Sequence, residues 1–183
     1  MVTKKELSIE KFTYSDRVLI DTNIWLLTKN PYRAKTDTEK VQLYDAYLNE
    51  LIDSGAQMFV TTEVIGEYLN RILRNAFTTW KKSVNDDNAD YKRAFRRNDN
   101  EQYISAFEYA KAVLTDEILI LPNMTLLDTA SNRTTEIIQK SDHTSLDFTD
   151  ELLISTAKAN DLSIFTDDKD YLKKDMRLTI FTA

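Results

Sequence analysis

Short wholly apolar runs alternate along this chain with longer segments whose apolar residues recur every three to four positions. That alternation predicts strands and helices in turn. Val18-Leu19-Ile20 is the first such run and ends in Asp21. Residues 41–53 carry Val41, Tyr44, Leu48, Leu51 and Ile52 at helical spacing, and Asp53-Ser54-Gly55 stops that helix. Gln57-Met58-Phe59-Val60 reads as the next strand. Thr61 or Thr62 caps the helix after it, with Ile65, Leu69, Ile72, Ala76 and Trp80 on its apolar face. Residues 83–100 are polar and interrupt the alternation, with Tyr91 and Phe95 marking a short helix. A further helix carries Tyr103, Phe107, Ala110 and Leu114 in register. Ile118–Leu121 or Thr125–Leu127 supplies another strand, and a helix is expected over about 129–140 with Ile137 and Ile138 inward. An apolar helix over 148–160, a strand at Leu162–Phe165 and a last strand at Leu178–Phe181 complete the pattern. Strands and helices in alternation build an α/β domain on a largely parallel sheet. The polar stretch reads as part of a helical insertion, because the alternation resumes after it.

Composition narrows the chemistry. A chain of 183 residues is expected to form one domain, 1–183. It has no cysteine, so disulfides, thiolate nucleophiles and cysteine-zinc sites are excluded, and a reducing cytoplasm is compatible. Two glycines, Gly55 and Gly66, are too few for a glycine-rich phosphate loop. The one histidine, His143, follows Asp142 in a polar stretch with no nucleophile elbow nearby, which reads as a solvated loop residue. The N-terminal residues are charged and lack a secretory apolar core, and no apolar run approaches a membrane span, so a soluble cytoplasmic protein without a membrane partner is expected. A net charge of −6 argues against nucleic-acid binding by bulk electrostatics but allows a local basic strip.

Four separated stretches place an acid after a strand or on a helix face. Asp21 follows an apolar strand, where ligand crevices open in α/β sheets. For an isolated Asp, capping the next helix is the favoured reading. Thr22 and Asn23 stand ready to orient its carboxylate or a bound water. Glu67 lies in a stripe with Glu63, Asn70, Arg71 and Arg74, which could equally be a solvated face. Asp147 and Asp150 bracket the start of the 148–160 helix and could both be explained as a cap. Asp150 is nonetheless assigned to the site, since it precedes an apolar turn that must pack on the sheet, and Asp147 to the cap or a supporting position. Asp167, Asp168 and Asp170 follow a strand as Asp21 does, and Thr166 can donate to a carboxylate. Two unit charges 4 Å apart repel by roughly 4 kcal/mol at an effective dielectric of 20. Converging acids would therefore protonate or share a cation. Oxygen-only ligands select Mg²⁺ or Mn²⁺, and such ions support phosphodiester hydrolysis without a side-chain nucleophile.

VLIDTNIWL, FVTTEVIGEYLNR and DFTDELLISTAKANDLSIFTDDKDY together resemble the PIN domain, a family of metal-dependent nucleases, and within it the VapC-like ribonucleases. The resemblance covers roughly residues 17–80 and 145–183. It implies a three-layer α/β/α fold with a central, mostly parallel sheet, here enlarged by a helical insertion over approximately 81–117. It matches the family's acids to Asp21, Glu67, Asp150 and Asp168, as catalytic residues and as ligands of Mg²⁺ or Mn²⁺. Asn23, Thr166, Asp147 and Asp167 are placed around them, and Asp170-Tyr171 fits the aromatic position that follows the last acid. The implied activity is endoribonuclease cleavage by a metal-activated water, leaving a 5′-phosphate and a 3′-hydroxyl. The implied partners are RNA, a protein antitoxin if the chain is the toxin of a pair, and a second copy of the chain.

Arg71, Arg74, Lys81, Lys82, Lys92, Arg93, Arg96 and Arg97 form the basic strip expected to meet RNA phosphates. The competing reading is a solvated surface balanced by Asp86, Asp87, Asp90 and Asp99. Two rival functions stand beside the nuclease. A haloacid-dehalogenase-like phosphatase would use Asp21 as nucleophile but needs a second Asp where Asn23 stands. An inactive PIN scaffold would only bind, against which four intact acids argue.

Overall fold

The structure is a computed structural model that describes residues 2–8, 11–33, 38–128, 138, 146–173 and 177–183. The expected 129–140 helix, except Ile138, and the loop with Asp142 and His143 lie outside the described residues. Ile138 itself is helical and exposed, contrary to its expected inward placement.

Six strands form one sheet, and every pairing in it is parallel. They are β1 (Val2–Glu6), β2 (Arg17–Ile20), β3 (Gln57–Thr61), β4 (Met124–Leu127), β5 (Ser163–Phe165) and β6 (Leu178–Thr182), in the order β1-β6-β5-β2-β3-β4. Among the described residues, the helices that connect or flank them include α1 (Thr22–Thr28), α2 (Thr38–Asp53), α3 (Thr62–Val84), α4 (Glu101–Ala112) and α5 (Phe148–Asn160). Val18, Leu19 and Ile20 are wholly buried, as central parallel strands covered on both faces require. From β2 the chain steps outward through β3 to β4, then returns across the sheet to β5 on the other side of β2. The connection therefore reverses direction between β2 and β5. Such a switch point opens a crevice outside the carboxyl ends of the two strands.

Local chemistry sets the helix ends. Thr61 caps α3 by accepting from Val64 N, and Asn85 closes it in the left-handed conformation (φ 52°). Gly55 turns the chain between α2 and β3 at φ +74°, where a side chain would be strained. Asp147 and Asp150 make a reciprocal capping box at the start of α5. Among the described residues no helix is long and apolar enough to cross a membrane.

Two expectations are corrected here. Of the two alternatives for the fourth strand, Ile118–Leu121 is not one, because α4 continues through a wide helical turn over Val113–Ile118. The strand is Met124–Leu127, which contains the other alternative, Thr125–Leu127. The buried face of α3 is Val64, Tyr68, Ile72, Leu73 and Ala76: Ile72 and Ala76 lie inward as expected, whereas Ile65, Leu69 and Trp80 are only partly buried and Val64, Tyr68 and Leu73 take the inner positions. The C-terminal half of α3 leaves the main core and packs in a second cluster. Phe95, which is fully buried, sits there with Leu73, Ala76 and Ala106, ringed by Phe77, Trp80, Tyr91, Tyr103 and Phe107. Phe95 lies 5.4–5.8 Å, centroid to centroid, from Phe77, Trp80, Tyr91 and Tyr103, within the range of favourable aromatic pairing.

Candidate active site

Asp21 occupies the first position beyond β2, and its backbone N–H donates to Phe165 O at 3.0 Å, pinning it beside the end of β5. It sits at the N-cap of α1 but makes no side-chain capping bond, so its carboxylate is not spent on the helix. Thr166, the first residue beyond β5, donates its hydroxyl to Asp21 Oδ2 at 2.6 Å. The Thr166 oxygen in turn accepts from Asn23 Nδ2 (2.9 Å) and from Asp168 N (3.0 Å). A threonine hydroxyl has one proton and two lone pairs. All three are committed, and the only proton points at Asp21.

The remaining acids arrive from helix N-termini at the same sheet edge. Glu67 lies on the second turn of α3, half-buried, and accepts from Thr22 Oγ1 at 2.8 Å. Asp150 is in the first turn of α5; its Oδ2 accepts from Asp147 N at 3.0 Å and its Oδ1 from the Tyr171 hydroxyl at 2.9 Å. Asp168 Oδ1 accepts from Asp170 N at 2.8 Å. Among the described residues, no lysine or arginine forms an ion pair with Asp21, Glu67, Asp150 or Asp168.

Electrostatics records the crowding. Burial pushes the Asp21 carboxyl up from 3.8 to about 7; the Thr166 hydrogen bond opposes this, and Asp150 and Glu67 add to it. Asp150 is also raised, first by burial, against the hydrogen bonds from Tyr171 and Asp147 N and with help from the charges of Asp147 and Asp168. Glu67 and Asp150 thus act on Asp21, and Asp168 acts on Asp150. Among the described residues, no three Asp, Glu, His or Cys side chains stand close enough to enclose one ion as placed.

The supporting residues divide. Asn23 and Thr166 are bonded into the acid network, and Asn23 Oδ1 also accepts from Asp167 N at 3.2 Å. Asp147 serves the capping box through Thr149 N and Asp150 N. The Asp167 carboxylate is held by Lys40 on α2, a pairing that no local pattern announces because the partners lie far apart in sequence. Tyr171 was noted in sequence only as an aromatic position, yet its hydroxyl reaches an acid of the site.

The basic residues are exposed except Lys81, which is partly buried. Three have local partners. The Arg74 guanidinium lies 4.1 Å from the Tyr91 ring centre, Lys81 contacts the Asp87 carbonyl, and Arg97 grips Asp99 with two bonds of 2.8 and 2.9 Å.

A model of the PIN domain matches residues 18–176. Among solved structures, the fold is similar to that of Mycobacterium tuberculosis VapC20, described as a sarcin-ricin loop cleaving toxin, with a TM-score of 0.52 and 11% identity over 85% of this chain and 93% of that one. It is also similar to FitAcB from Neisseria gonorrhoeae, with a TM-score of 0.52 and 17% identity over 90% and 96%. FitAB bound to an IR36 DNA fragment gives a TM-score of 0.53 and 16% identity over 90% and 94%. No curated protein matches the chain by sequence.

Proposed function

Because the chain belongs to the PIN domain family, a family of nucleases, we propose that it is a divalent-metal-dependent endoribonuclease. Asp21, Glu67, Asp150 and Asp168 would hold the ion. The observation that carries this reading is a buried carboxylate, Asp21, flanked by two more acids and paired with no basic side chain among the described residues. A buried charge left in that state costs several kcal/mol unless a cation or a proton joins it. An all-oxygen donor set suits Mg²⁺ or Mn²⁺. The acids would have to draw together on loading, since no three of them enclose an ion as placed.

When bound, such an ion acidifies a water and offsets charge building on the scissile phosphate. The chain's own residues provide the frame. Thr166 orients Asp21, Asn23 and Asp168 N lock Thr166, and Thr22 steadies Glu67. Without a cation, Asp21 keeps its proton up to a pH of about 7. Arg71 and Arg74 follow Glu67 along α3 at helical spacing, a path along which a phosphate backbone can run away from the acids. Lys82, Lys92, Arg93 and Arg96 extend the positive surface, while Lys81 and Arg97 are already engaged.

The toxin of a toxin–antitoxin pair is the fitting biological role, with a protein antitoxin and a second copy of the chain as partners and the cytoplasm as location. Support comes from the family and from likeness to VapC20 and the FitAB complexes. The phosphatase alternative lacks its second acid, because Asn23 stands there and its side chain is engaged with Thr166 and Asp167 N.

Cleavage of a mixed RNA pool with Mn²⁺, with EDTA and with Asp21→Asn tests the proposal. Cleavage should appear with Mn²⁺ and vanish in the other two. Activity surviving both chelation and substitution would end it, and an RNA pool left intact by the Mn²⁺-loaded protein would favour the scaffold reading.

A further inference from the structure

Tyr171 lies in the short 3-10 turn Lys169–Lys173, and its side chain is wholly buried. A buried tyrosine hydroxyl needs a partner. This one donates to Asp150 Oδ1 at 2.9 Å. Asp150 Oδ2 accepts from Asp147 N at 3.0 Å, so each carboxylate oxygen takes one donor, and the two bonds fix the plane of the group. An ionised carboxylate offers about four acceptor positions. Two remain, one on each oxygen. The residue just before Tyr171 completes the arrangement, because Asp170 N donates to Asp168 Oδ1 at 2.8 Å. One turn thus holds two acids that the sequence separates by 18 positions, one through its backbone and one through a side-chain hydroxyl.

We propose that Tyr171 is a positioning residue for the metal site, its hydroxyl setting the orientation in which Asp150 meets the ion. The inference rests on the nuclease reading above. Outer hydrogen bonds of this kind fix how a ligand presents its lone pairs, and losing one weakens metal binding about 10- to 100-fold. The chemistry resides in the hydroxyl and not in the ring. A phenylalanine would fill the same space and leave Asp150 Oδ1 without its donor.

The test is Mn²⁺ affinity of the full chain, read by electron paramagnetic resonance of the free ion, for the wild type, Tyr171→Phe, Asp150→Asn and the double variant. Tyr109→Phe serves as control, since it removes a hydroxyl that serves the Lys29 carbonyl, remote in sequence from the acids. Tyr171→Phe should weaken Mn²⁺ binding about 10- to 100-fold, and Tyr109→Phe should leave it unchanged. In the Asp150→Asn background the second substitution should cost little more, because the hydroxyl acts through Asp150. Equal affinity for wild type and Tyr171→Phe overturns the positioning role while leaving the metal site intact. So does a full additional loss in the double variant, which marks a general packing effect. No Mn²⁺ binding by the wild type overturns the nuclease reading itself.

Discussion

The acid edge and the aromatic cluster of α3 and α4 are built on opposite principles. At the acid edge, four sequence-distant stretches (21–23, 67, 147–150 and 166–171) deliver polar groups, and hydrogen bonds of 2.6–3.2 Å aim them. In the cluster, residues 73–107 supply most of the packing, with Tyr32 and Leu69 added to it, and the buried residues at its centre are all apolar. Burial there stabilises the fold directly, at about 1.5–3 kcal/mol for a large side chain. Burial of Asp21 does the reverse, since it raises the free energy of the ionised form. One region holds the helices together, and the other keeps a charge in a place where it is unstable alone.

The contrast is sharpest in stability. Phe95→Ala should lower it by about 3–5 kcal/mol, because it empties the centre of the cluster. Thermal or urea unfolding measures this, and cleavage per folded molecule should be unchanged. Asp21→Asn should have the opposite sign in metal-free protein near pH 8. Its folded pKa of about 7 lies above the ordinary 3.8, so the folded state binds more protons than the unfolded chain between those values. Its favourable contribution is full below pH 4 and disappears as pH rises through about 7, a change on the order of 4 kcal/mol at most. The wild-type-minus-variant difference in unfolding free energy between pH 4 and pH 8 isolates this from other groups. A variant no more stable than wild type at pH 8 would show that Asp21 is better solvated than its burial implies.

Much of this was legible in the sequence, and the exceptions have physical causes. β2, β3, β5 and β6 were readable because central strands are continuous apolar runs, and α5 was placed at its observed bounds. β1 was not read as a strand. It sits at the sheet edge, where Thr3, Lys4 and Glu6 face solvent, so its composition imitates a solvated tail. On α3 the inward Ile72 and Ala76 were readable and Tyr68 was not, because this polar-tipped aromatic is wholly buried with its hydroxyl on Lys29 O, while Leu69 is only partly covered. Asp147 and Asp150 do cap α5, and Asp150 also adds its charge to the field at Asp21. Lys40 and Tyr171 were invisible as partners, since only the folded chain brings them to Asp167 and Asp150.

The smallest expected effect concerns the substrate. Arg71→Ala should weaken RNA binding modestly and similarly across sequences. It should reduce the slope of log affinity against log salt by about 0.7 if it meets one phosphate of a single strand. Salt-dependent binding assays in EDTA, where no cleavage is expected, would measure it. The same substitution should leave unfolding stability within about 0.5 kcal/mol, because Arg71 is exposed.

The most direct test of the converging acids is to grow crystals with Mn²⁺ and collect anomalous diffraction at the manganese edge. An anomalous peak is predicted at the switch point between β2 and β5, within coordination distance of Asp21 and Asp150, with Glu67 or Asp168 drawn in. A Mn²⁺-saturated crystal whose only peaks lie away from Asp21 would contradict the account.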